Sequence, residues 1–155
     1  MRLPRSAAGW TIAVFGVLAL VLGLVGLIHP EALLRMLGFE VIAAADRASG
    51  DYTRTYVAAS CMAAVNMGVY YLVATYTEWR TFFRFTVVFR LVTFSVFTTL
   101  VLTGSAPGKF FGVALWEGVG AVATGVGLWL DSRSAATAPT SPATGAVRSP
   151  TDAGR

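Results

Sequence analysis

Residues 10–28 read W-T-I-A-V-F-G-V-L-A-L-V-L-G-L-V-G-L-I, without one charged side chain. As a helix rising 1.5 Å per residue this stretch reaches about 28 Å, close to the hydrocarbon thickness of a bilayer. Arg2 and Arg5 precede it, so a signal peptide is the competing explanation. A signal peptide has a shorter apolar region and a small-residue cleavage site close behind it. Here the only A-x-A-like stretch, residues 43–45, lies far downstream. The stretch therefore reads as an uncleaved membrane-spanning helix.

Three more apolar runs follow, at residues 56–76, 85–102 and 110–130. Composition agrees with them. Of the 155 residues, 55% are hydrophobic and 13% charged, against roughly 25% charged in ordinary soluble domains. Every charged residue except Arg90 and Glu117 falls outside the four runs. The predicted fold is all-α: an integral-membrane four-helix bundle over residues 10–130, a short N-terminus (1–9) and a disordered tail (131–155). The tail reading follows from its Ala, Thr, Ser, Pro and Gly composition, which supplies no core.

Between the first two runs, P-E-A-L-L-R-M-L-G-F begins with proline and closes with glycine, which predicts a short helix over residues 31–37. Leu33, Leu34 and Leu37 share one face, and Glu31 and Arg35 form an i,i+4 pair. Too short to span, it is expected at the membrane surface. The D-R-A-S-G-D segment ending at Asp51 lacks the alternating acidic ligands and final Glu of a calcium loop. Asp51 reads instead as a helix N-cap.

Scarcity excludes several chemistries. With one cysteine (Cys61) and one histidine (His29), the chain cannot alone furnish a four-ligand zinc site or a cysteine pair. No phosphate-loop, zincin or hydrolase-elbow motif occurs. Cys61, Met62 and Met67 are soft donors, but Cys61 and Met67 do not share a helix face. No metal or cofactor is expected, and no catalytic set. The net charge of +4 comes from arginines flanking the apolar runs, which fits membrane orientation rather than nucleic-acid binding.

Orientation follows from those residues. Arg2, Arg5, Arg80, Arg84, Arg133, Arg148 and Arg155 fall on one side, against Arg35, Arg47, Arg54 and Lys109 on the other. The positive-inside rule places both termini in the cytoplasm, in a multi-pass protein of the plasma (inner) membrane. Trp10, Trp79, Trp129, Tyr52, Tyr56 and Tyr76 lie near run ends, as interfacial anchors do.

Arg90 and Glu117 need a reason to be where they are. A lone charge at a helix centre costs about 2.5–3.5 kcal/mol on insertion scales. A hairpin turning at residues 103–109 puts Glu117 level with Ser95, within side-chain reach of Arg90. A turn at residues 77–84 brings Asn66 to a similar level. Thr86 and Thr93 share Arg90's face, and Thr124 shares Glu117's. The expected polar cluster is Asn66, Arg90 and Glu117, with Trp116 helping to wall it. Small residues mark where helices approach closely: Gly16 and Gly23 in the first run, Gly118, Gly120, Gly125 and Gly127 in the fourth. This seam serves either packing within the bundle or assembly with another chain.

The order of span, H-P-E-A-L-L-R-M-L-G-F at residues 29–39, three further spans and a short polar tail resembles small bacterial membrane proteins of the DoxX-like and BphX-like type. The resemblance covers residues 10–130. It implies a small inner-membrane protein, often near oxidative or catabolic enzymes, and carries over no catalytic residue. Small multidrug-resistance transporters also have four helices, but their carboxylate sits in the first span, where this chain has none. Two functions follow. One is a non-enzymatic accessory or scaffold subunit of a membrane complex, embedded in lipid and assembled with itself or with partners. The alternative is a small transporter or channel using the Asn66–Arg90–Glu117 cluster.

Overall fold

The computed structural model describes residues 3–136; the expected tail beyond residue 136 lies outside them. The fold is all-α, with four long helices and one short one. They are α1 (Ala7–Ile28), α2 (Pro30–Met36), α3 (Thr53–Tyr76), α4 (Arg80–Leu102) and α5 (Phe111–Ala136). The four long helices are each long and apolar enough to cross a membrane. Their outer surface is apolar too: Val88 is 57% exposed and Val122 64%. A surface of exposed valine, leucine and phenylalanine suits lipid and not water.

Helices α1, α3 and α4 begin three to five residues ahead of their apolar runs, and α5 begins one residue after its run. Ser6 caps α1, its hydroxyl accepting from the Gly9 N–H at 3.0 Å. The first turn of α4 holds Arg80, ahead of the run expected from Phe85. Asp51 stands one residue before the cap position, which is Tyr52. Its carboxylate nonetheless accepts from the Thr53 N–H at 2.9 Å. Pro30 opens α2, one residue ahead of expectation. Its end is a Schellman turn: Phe39 N–H donates to the Leu34 carbonyl, and Gly38 takes a φ of +86°.

Two sequence expectations are corrected. Glu31 does not pair with Arg35; its carboxylate meets Arg54 and Arg47, whose side chains arrive from the following loop and α3. Helix α5 also continues through residues 131–136, where structure was not expected. Asp131 accounts for the extension: it is held against the start of α1, accepting from the N–H groups of Ala7 (2.8 Å) and Ala8 (3.2 Å).

Packing is not symmetrical. Helix α1 packs along α3 and also against α5, while α4 packs on α5; α3 and α4 barely meet. The core lies where α1 meets its neighbours, around Ala8, Ile12, Phe15, Tyr71, Ala74 and Phe83. Gly16 and Gly68 let α1 and α3 approach until a side chain on Gly68 would come within 2.7 Å of the Gly16 carbonyl. The consequence for the rest of the molecule is a cleft between α3 and α4.

Candidate intramembrane site

Arg90 lies on α4 at the floor of that cleft and is 4% exposed. Its Nε is 3.8 Å from Oε2 of Glu117 on α5: an ion pair without a hydrogen bond. The guanidinium sits over the ring of Phe15, 3.8 Å from its centroid, and beside Tyr71 at 5.2 Å. Such cation–π contacts contribute about 0.5–2 kcal/mol each. Phe15 in turn packs against Trp116, with centroids 4.3 Å apart. Gly120 makes the arrangement possible, because a side chain there would run into the Arg90 guanidinium and Phe15. Even so, Nε and one terminal nitrogen of Arg90 are buried without a hydrogen-bond partner. A buried donor left in that state costs about 1–3 kcal/mol, more when charged.

Of the residues singled out by sequence, Thr86 and Thr93 join this pair on one cavity of about 200 Å³. Their hydroxyls are used locally, donating to the Phe82 and Phe89 carbonyls at 2.8 and 3.0 Å. Thr124 lies elsewhere. Fully buried, it pairs with Thr11 at 3.1 Å where α5 meets α1. Asn66 is not brought in: it is exposed on α3. The face of α3 that packs carries Cys61, Gly68, Tyr71 and Ala74, and a residue two positions from Gly68 points away from it.

The glycines divide similarly. Gly16 and Gly23 face α3, a side chain on Gly23 coming within 2.9 Å of the Cys61 carbonyl. Gly127 faces the Ala8 backbone, and Gly118 faces Phe94. Gly125 faces open space. The aromatic partners of Arg90 were not found from sequence. The signals available were Phe15, the lone aromatic in the body of the first run, and Gly120, level with the charge.

A second cavity adjoins the one at Arg90. Towards the α2 end lies an apolar cavity of about 650 Å³, roofed by Leu33, Leu34 and Leu37 and lined by Ala64, Phe97 and Val113. Those last three stand one helical turn from Met67, Thr93 and Glu117, which line the middle cavity. At the other end of the bundle, a separate cavity of about 210 Å³ lies between the N-terminal segment and the end of α3, lined by Leu3, Arg5, Thr75 and Glu78. Where the Arg90 cavity nears the α3–α4 turn, Phe82 stacks edge-on to Tyr71 at 5.8 Å and lies against Trp79 at 5.5 Å. The cleft thus holds two cavities on shared faces of α3, α4 and α5.

The fold and site define a class: a small multi-helix membrane protein with internal charged residues. Neither a protein-family model, nor a curated protein, nor a solved structure matches the chain.

Proposed function

We propose that this protein is a small transporter that moves a solute along the α3–α4 cleft and holds it at Arg90 and Glu117. The observation that carries the reading is Arg90: a buried guanidinium with idle donors, on a cavity between two helices that barely meet. Ionisable groups inside a membrane mark solute or proton pathways by default. A pair serving register alone is better off fully hydrogen-bonded, because each unmet donor is destabilising. The reading involves no bond-making chemistry, so the protein is not an enzyme on this account. Likeness to DoxX-like and BphX-like proteins enters as shared architecture only. The distribution of arginines supports a plasma-membrane protein with its N-terminal end in the cytoplasm.

A second reading, an accessory or self-assembling subunit, has Asn66 in its favour. An amide exposed in the middle of α3 is a group that a second helix can hydrogen-bond. The test is uptake into liposomes holding the full chain, using labelled pyruvate, choline, glycine and glucose as probes of different charge. Transport predicts that one of them enters and that Glu117→Gln stops it while the protein stays folded. Loss of folded protein instead, with no uptake by the parent chain, supports the subunit reading.

A further inference from the structure

Charge balance at the site selects among possible solutes. Glu117 shares its cavity with residues of α3 and α4, and α1 packs behind Arg90. Helix α4 contributes Arg90, and α3 contributes the Tyr71 phenol. Helix α1 contributes Phe15 and has no titratable side chain along its length. Within the span, α5 itself carries no second charge. Arg90 and Glu117 therefore make a neutral pair in a medium that penalises any net charge.

A cation bound at Glu117 strips Arg90 of its counter-ion. An anion bound at Arg90 beside an ionised Glu117 leaves the site net negative. An anion arriving with one proton leaves it neutral. That combination also gives the idle Arg90 donors an acceptor, since a carboxylate matches two guanidinium N–H groups. The two members of the pair are not equally reachable: the Glu117 side chain is 23% exposed, against 4% for Arg90. The proton acceptor is thus the more exposed member of the pair, and both line the cavity.

We propose that the Arg90–Glu117 site takes a small monocarboxylate together with one proton. Resting on the transport reading above, this names its solute class. The solute carboxylate replaces Glu117 as counter-ion to Arg90, and a proton from water forms an O–H bond on the Glu117 carboxylate. Release reverses both steps, and no covalent bond in the solute breaks. The body of the solute is apolar, because Met67, Phe85 and Phe89 form the facing walls. It is also small, since the cavity measures only about 200 Å³.

The test is butyrate binding to the full chain in lipid nanodiscs, in weak buffer, with proton uptake followed by a pH indicator. About one proton is taken up per butyrate bound, and affinity falls about tenfold per pH unit above the range where Glu117 is protonated. Glu117→Gln binds butyrate without proton uptake and with a flat pH profile, and Arg90→Gln loses binding. Binding by the parent chain without proton uptake overturns the proposal. So does proton uptake that persists in Glu117→Gln, or binding of choline and not butyrate. The parent-chain measurement needs no variant to fold. If folded protein binds no butyrate, the proposal fails; liposome uptake of another probe then leaves the transport reading standing, and absence of both removes both.

Discussion

Two carboxylate sites in this bundle behave oppositely. At the N-terminal end of α1, Glu78 accepts from the Arg5 N–H at 2.5 Å, the Ser6 N–H at 3.2 Å and the Ser6 hydroxyl at 2.6 Å. Asp131 takes the N–H groups of Ala7 and Ala8. Helix donors that would otherwise lack partners are met by two negative charges, where the helix dipole favours them. Inside the membrane, Glu117 and Arg90 stand 3.8 Å apart, and two Arg90 nitrogens have no partner. At the end of the bundle, the two carboxylates fasten the start of α1 with five hydrogen bonds. The interior site retains unused hydrogen-bonding capacity, and that is what separates a fastening from a binding site.

The widest effect is expected from breaking the interior pair. Glu117→Ala leaves Arg90 buried without a counter-ion and is expected to cost about 3–5 kcal/mol. Adding Arg90→Ala should restore part of the loss in a detergent unfolding titration. A double variant no more stable than the single one would show that the pairing contributes nothing.

Glu78 offers the matching test of the fastening. It ends α3 in a Schellman turn, with Trp79 N–H donating to the Ala74 carbonyl, yet with φ of +50°. Glycine occupies the corresponding position after α2. Glu78→Gly relieves about 1 kcal/mol of backbone strain but loses hydrogen bonds to a charge, about 1.5–3 kcal/mol. Net destabilisation is expected, smaller than for Glu117→Ala. A gain in melting temperature would mean that the carboxylate fastens nothing.

Glycines sharpen the contrast further. Gly120→Ala drives a methyl into Arg90 and Phe15, at about 1–3 kcal/mol for overpacking, and should weaken butyrate binding. Gly125→Ala, facing open space within α5, should leave binding unchanged and stabilise by up to about 1 kcal/mol.

The smallest effect concerns pH at the α2 end. The guanidinium of Arg54, then that of Arg47, holds Glu31 below its ordinary value of 4.5. Hydrogen bonds from Thr53 hold Asp51 below 3.8. Lowered carboxylates contribute stability above their ordinary values and lose it as pH falls through the folded ones. Melting temperature should therefore drop in acid below about pH 4.5, and Glu31→Gln should flatten part of that drop.

The four spans, the short helix and the glycine that ends it were legible because each is written in local periodicity and turn chemistry. The level of Arg90 with Glu117 was legible too, since counting residues across a hairpin suffices. What was not legible depended on which helices pack. Asn66 faces outward because α3 turns its glycine face to α1 and not to α4. For the same reason the cleft exists, and Phe15 and Tyr71 become partners of Arg90. Asp131 looked like the start of a tail because its partners lie at the opposite end of the sequence.

Transport requires that the interior site be reachable from water along the cleft. With Cys61→Ala as background, Thr93→Cys places a thiol on the Arg90 cavity, and Val92→Cys places one on a 52%-exposed, lipid-facing position. A charged, membrane-impermeant thiol reagent is predicted to modify Thr93→Cys in intact liposomes and to spare Val92→Cys. Thr93→Cys that stays unmodified from both sides of the membrane would contradict it, leaving Arg90 and Glu117 as a sealed ion pair.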